Sequence, residues 1–249
     1  MASKEYYEGR DFEHNNILFE NLEKELNVTD LVQDGSSGTK ADILGKQNGK
    51  EIGLSCKNVT GDNTQADLPT VNSFCEFFPS MEPYRNMLGA FFGSVNGWPE
   101  LLEQYKDVDL SEYDIGHKRI NAYHIKDFNT FVDELNRLTK SGKLHNRLLK
   151  TLNKGKTVDY LIWRNKKTKD CHVLHIDTFL KQLKKSKWQI TNGGTVIECI
   201  LDGNKVFFLQ MKGSRIKIKG VWNGEYDHSM QFHINLKNPE LYSVTSFKV

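Results

Sequence analysis

The residues with the most chemical potential lie around a two-residue turn. Asn48-Gly49, set between the β-prone runs Lys40–Lys46 and Lys50–Asn58, is a strong signal for a type I′ hairpin. Counting outward pairs Gln47 with Lys50, Lys46 with Glu51, Gly45 with Ile52, Leu44 with Gly53, Ile43 with Leu54 and Asp42 with Ser55. Directly opposed residues share a sheet face with Cβ atoms about 4.5–5.5 Å apart, and Lys57 projects from that face within diagonal reach of Asp42. A carboxylate, a hydroxyl and an ammonium therefore converge. The chemistry open to such a trio is charge handling. Ile43, Ile52, Leu54 and Cys56 point the other way and supply an apolar face for packing against helices.

Several elements must position that strand pair. Residues from about 11 to 27 read as an amphipathic helix through Ile17, Leu18, Leu22 and Leu26, with Asp11 as N-cap. Asp34-Gly35-Ser36-Ser37-Gly38-Thr39 has the composition of a loop. Helices are predicted over 72–92 and 124–139, the second ended by Ser141-Gly142. Short strand-like runs follow at Val158–Arg164, Cys171–Ile176, Thr195–Leu201, Lys205–Lys212, Ile216–Trp222 and Met230–Leu236, punctuated by Gly193-Gly194, Asp202-Gly203 and Asn223-Gly224. With only five prolines and no long Gly/Ser linker, the 249 residues are taken as a single α/β unit with a strand-rich C-terminal part.

Charge narrows the partner. Residues 1–114 carry 9 Lys+Arg against 21 Asp+Glu, and residues 115–249 carry 25 against 11, so balances of −12 and +14 hide inside a net charge of +2. A basic half of that size is expected to attract a polyanion, although a solvated lysine face has the same composition. No apolar run approaches the ~20 residues of a membrane span, and the start lacks the apolar core of a signal peptide. The four cysteines show no C-x-x-C spacing, which argues against a disulfide scaffold or structural zinc, and a cytoplasmic, reducing setting is expected.

The segment Lys40-Ala41-Asp42-Ile43, a hairpin, then Gly53-Leu54-Ser55-Cys56-Lys57, preceded by a helix containing Glu20, resembles the PD-(D/E)xK nucleases and, within them, the type II restriction endonucleases. The resemblance implies a restriction-endonuclease-like fold, a central mixed β-sheet flanked by helices. It also implies Mg²⁺ held by Asp42 and position 55, with Lys57 orienting the attacking water and Glu20 lending a further acid from the helix. Two positions depart from the pattern: Ala41 stands in place of proline, and Ser55 in place of an acid. Because Mg²⁺ is held mainly by carboxylates and water, either Ser55 acts through a water or another acid completes the site. Glu51 lies on the same face about 13 Å along the strand at ~3.3 Å per residue, too far to share an ion with Asp42, which leaves Glu20 as the better candidate. The chemistry suits these types, since phosphodiester hydrolysis needs a metal to generate a nucleophile and stabilise charge on phosphorus, and a cation to hold the water. The competing reading is a surface salt bridge between Asp42 and Lys57 worth ~0–1 kcal/mol.

Other segments fill in the partner. Gln210, Lys212, Ser214, Arg215, Lys217 and Lys219 resemble the C-terminal strands with which such endonucleases hold DNA, where Gln pairs with adenine edges, Arg with guanine and Lys with phosphate. A basic edge hairpin is the alternative. Asp202-Gly203, taken as a two-residue turn, puts Thr195 opposite Gln210 and leaves Asp202 in the turn, away from Lys212. Cys171, His175 and Asp177 would share one strand face, but a core histidine and a helix N-cap at Asp177 explain them more simply. Lys181–Lys187 is expected on a helix. No G-x-x-x-x-G-K-[ST] run occurs, so no nucleotide cofactor is expected. The expectation is thus a Mg²⁺-dependent, sequence-specific double-stranded DNA endonuclease, acting as a homodimer because a two-fold axis places two identical sites on a symmetric sequence. Its rivals are a non-catalytic nucleic-acid-binding protein and a structure-specific repair or recombination nuclease of the same fold.

Overall fold

The computed structural model describes residues 12, 15–34, 41–67, 69–85, 88, 128–149, 158–191, 196–210 and 230–249. The chain divides into two compact units, the first from residues 1–64, 142–185 and 236–249, the second from 65–141 and 186–235. Each unit draws on both sides of residue 114. The charge asymmetry of the two halves is therefore redistributed: 21 Lys+Arg against 16 Asp+Glu in the first unit, 13 against 16 in the second.

The first unit is a mixed α/β structure. Helix α1 (Asn16–Leu26) is capped by Asn15, whose side chain accepts from the Ile17 and Leu18 amides, so the cap lies four residues past Asp11, which is outside the described residues. Leu18, Leu22 and Leu26, spaced by four, form its buried stripe, whereas Ile17 lies off that stripe and is exposed. Strands β1 (Val28–Gln33), β2 (Ile43–Gln47), β3 (Lys50–Val59), β5 (Tyr160–Asn165), β6 (Asp170–His175) and β11 (Thr245–Lys248) make one sheet in the order β1-β2-β3-β5-β6-β11. All neighbours are antiparallel except β3 and β5, which are parallel. The apolar face of this mixed sheet, with Ile43, Ile52, Leu54, Cys56, Tyr160, Ile162 and Val173, packs on the α1 leucines.

The β2–β3 register is the one obtained by counting from the turn, from Gln47↔Lys50 to Ile43↔Leu54. Asn48 and Gly49 both have positive φ, 51° and 74°, as a type I′ turn requires. A Cβ at Gly49 would meet nothing within 4 Å, so only its conformation is at stake. Gly49→Ala is expected to cost about 1–2 kcal/mol in urea unfolding.

Helices α4 (Lys143–Leu149) and α5 (Ile176–Leu183) pack on each other in this unit. The N-cap of α5 is His175, whose Nδ1 accepts from the Thr178 amide at 3.4 Å, and not Asp177, which sits inside the first turn. Cys171 is buried among apolar side chains, which push its thiol up to about 12, and Asp177 is helical, so the three do not share one strand face, the reading the sequence already disfavoured. The helix expected over Lys181–Lys187 ends at Leu183, and Lys187 opens a strand.

In the second unit, strands β7 (Lys187–Thr191), β8 (Val196–Leu201), β9 (Asn204–Gln210) and β10 (Gln231–Asn235) are antiparallel, and β4 (Asn63–Asp67), where the chain passes between units, lies at the β10 edge. Asp202 and Gly203 form the expected turn, but the register shifts beyond Ile200↔Lys205 to Cys199↔Phe207. Val206 is an extra residue in β9, a bulge, so Val196 and not Thr195 opposes Gln210. Helix α2 (Val71–Phe77) is shorter than the predicted 72–92 because Phe78 turns extended, ψ 84°, ahead of Pro79, and a 3-10 turn Pro79–Tyr84 follows. Helix α3 (Phe128–Lys140) buries Phe128, Phe131, Val132, Leu135 and Leu138, and Gly142, φ 79°, follows it. Its Asn136 amide brackets edge strand β7, accepting from the Trp188 N–H at 2.7 Å and donating to the Trp188 carbonyl at 3.1 Å. Asn136→Leu should strand both backbone groups and cost about 1–3 kcal/mol, read by urea unfolding.

Candidate functional site

The site grows from the central hairpin of the first unit. Asp42 immediately precedes β2, and its N–H donates at 2.8 Å to the carbonyl of Leu54, the residue that also pairs with Ile43, so the ladder is irregular where the chain enters β2. Its Oδ2 accepts from the Ser55 hydroxyl at 3.1 Å and from the Cys56 N–H at 2.5 Å. Both bonds fall on one oxygen. Ser55 is itself 6% exposed, a buried hydroxyl whose proton is committed to Asp42 while its lone pairs remain.

Lys57 lies two residues on, half-buried on the same face, beside Trp163 of β5. It forms no ion pair with Asp42 among the described contacts and acts on it through its field. This is not the surface salt bridge of the competing reading. Burial is the largest influence on the Asp42 carboxyl and holds it above the usual carboxylate range, against the pull of Lys57, the Cys56 amide and the Ser55 hydroxyl, while Asp34 pushes the same way as burial.

The sign of the pH effect follows. A carboxyl whose folded-state affinity for its proton exceeds the unfolded one contributes stability below its unfolded value of 3.8 that is lost as pH rises through the folded one. Without metal, wild type should therefore lose stability relative to Asp42→Asn as pH is raised from about 3.8 toward neutrality, checked by urea midpoints at a series of pH values.

Three of the four expected catalytic residues, Asp42, Ser55 and Lys57, are thus brought to one face. Glu20 is not among the groups acting on Asp42. It is exposed on α1, about 120–160° around the helix from the buried leucine stripe, and α1 covers the opposite face of the sheet. Glu51 is exposed near the turn. Two carboxylates went unrecognised in the sequence. Asp34 follows β1 and stands beside Asp42, its N–H donating to the Asp42 carbonyl at 2.9 Å. Asp159 shares the face next to Gly53, but its Oδ2 accepts from the Gly53 N–H at 2.9 Å and closes the β3–β5 junction.

The donors suit a hard cation. Carboxylate and hydroxyl oxygens are what Mg²⁺ takes, commonly with one or two carboxylates and several waters. Among the described residues no group of three His, Cys, Asp or Glu side chains is placed for a metal, so a ligand set of the zinc kind is not formed there. Of the expected DNA-contacting residues, Gln210 ends β9, half-buried between Val196 and Gln231, and Lys212, Ser214, Arg215, Lys217 and Lys219 lie outside the described residues. No helix among the described residues is long and apolar enough to cross a membrane.

No protein-family model and no curated protein matches the chain. Among solved structures, it is similar to the restriction endonuclease MspI in complex with its cognate DNA, at 12% identity and a TM-score of 0.39, over 90% of this chain and 82% of that one. It is also similar to HhaI endonuclease in complex with DNA, at 15% identity and a TM-score of 0.32, over 92% of this chain and 91% of that one.

Proposed function

We propose that the protein is a Mg²⁺-dependent endonuclease that hydrolyses phosphodiester bonds in double-stranded DNA at specific sequences. The observation that carries this reading is the convergence of Asp42, Ser55 and Lys57 on one half-buried sheet face, with Asp42 held by a hydroxyl and a backbone amide. Asp42 and Ser55 would hold the metal, which when bound supplies an activated water and neutralises charge on the phosphate. Lys57 orients the water beside the scissile phosphate and places a positive charge where negative charge develops. Ser55 fixes the Asp42 carboxylate by donating to Oδ2.

The partner is DNA, gripped in part by Gln210 and the basic residues Lys212, Arg215, Lys217 and Lys219, with Ser214 among them. Two copies related by a two-fold axis would cut both strands. Sequencing the fragment ends produced from phage DNA tests the specificity. One shared sequence at every end is expected; ends without common sequence would favour the structure-specific nuclease, and intact DNA that is still shifted on a gel would favour the non-catalytic binder. Binding itself should weaken steeply between about 50 and 200 mM salt.

A further inference from the structure

A hydroxyl at position 55 leaves Asp42 without a carboxylate opposite it on β3, one charge short of the usual pair. The neighbouring strand supplies one. The Asp34 N–H bonds the Asp42 carbonyl at 2.9 Å, which extends the β1–β2 ladder one step past Gln33↔Ile43. Asp34 therefore stands directly opposite Asp42, and opposed residues in an antiparallel pair share a face, here the face of Ser55 and Lys57. Resting on the nuclease reading above, we infer that Asp34 is the second carboxylate of the cation site, so that Asp34, Asp42 and the Ser55 hydroxyl form one row of oxygen donors across β1, β2 and β3.

A positive charge between the two carboxylates suits this arrangement. Like charges directly opposed across two strands repel, and Asp42 is largely withdrawn from water. Its two hydrogen bonds both engage Oδ2, which leaves Oδ1 without a described donor. Lys57 balances one of the two carboxylates, and a divalent ion with its waters satisfies the rest with the one or two carboxylates Mg²⁺ commonly takes. The other acids are placed worse: Glu20 lies on the outer side of a helix covering the opposite face, Glu51 sits along the strand toward the turn, and Asp159 is engaged by Gly53.

The test is Mn²⁺ binding to the full chain by calorimetry, without DNA, for wild type, Asp34→Asn and Glu20→Gln, with melting curves with and without the ion. Asp34→Asn is expected to weaken Mn²⁺ binding about tenfold or more and to shrink the metal-induced rise in Tm. Its Tm without metal should not fall, because a like charge has been removed, and this separates a ligand from a merely structural residue. Glu20→Gln should match wild type in both. Unchanged Mn²⁺ affinity in Asp34→Asn, or a loss confined to Glu20→Gln, would overturn the assignment while Mg²⁺-dependent cleavage by wild type kept the nuclease reading intact. Wild type that neither binds Mn²⁺ nor cleaves would remove both. If Asp34→Asn does not fold, Asp34→Ser serves the same comparison.

Discussion

Lys57→Ala is expected to slow DNA cleavage by about 10²–10⁴-fold while leaving DNA binding within a few-fold of wild type. The side chain stands on the face of Ser55, close enough to Asp42 for its charge to be felt and yet not bound to it, so removing it leaves the Asp42 hydrogen bonds to Ser55 and Cys56 in place. The ground-state structure should therefore survive and the transition state should not. Asp42→Ala should lose cleavage to a similar degree, with a further loss of metal affinity that Lys57→Ala does not share. Arg215→Ala should act in the opposite sense, weakening binding before catalysis. The check is single-turnover cleavage beside a gel-shift titration of the same variants; equal loss of binding and cleavage in all three would mean that these roles are wrongly assigned.

Leu54→Ala should cost about 2–5 kcal/mol. Leu54 is fully buried in the central strand of the first sheet, opposite Ile43 and beside Tyr160, while the next side chain, Ser55, points to the other face. Its truncation opens a cavity against the α1 leucines without touching any polar group of the site. Urea unfolding should show the loss, and cleavage per folded molecule at low urea should stay close to wild type. An intact transition with lost cleavage would place Leu54 in the chemistry and contradict the division of β3 into a packing face and a reacting face.

Much of that division was legible in the sequence. Asn48-Gly49 fixed a type I′ turn, period-2 alternation did the rest, and every pair from Gln47↔Lys50 to Ile43↔Leu54 follows from counting. The long strands and α3 were legible for the same reason, strong periodicity bounded by turn residues. Strand β1 was not, because Asp30 adopts a positive φ of 55° and the register shifts between Thr29 and Val32, so its burial does not alternate. With β1 hidden, Asp34 read as the start of a loop, and its place opposite Asp42 could not be counted. Glu20 was attractive as the nearest upstream acid on a helix, but a three-leucine stripe fixes which side of that helix faces the sheet. The bulge at Val206 is equally silent in a run of apolar residues and moved the expected partner of Gln210 by one. Charge summed along the chain does not map onto the two units, since each is assembled from both halves.

The measurement closest to the central claim is incubation of unmethylated phage DNA with the purified protein in Mg²⁺ or in EDTA, beside Lys57→Ala. Discrete fragments that require Mg²⁺ and vanish in the variant are the predicted result. Fragments that persist in Lys57→Ala, or DNA that stays whole under every condition while still being bound, would contradict a catalytic centre at Asp42, Ser55 and Lys57.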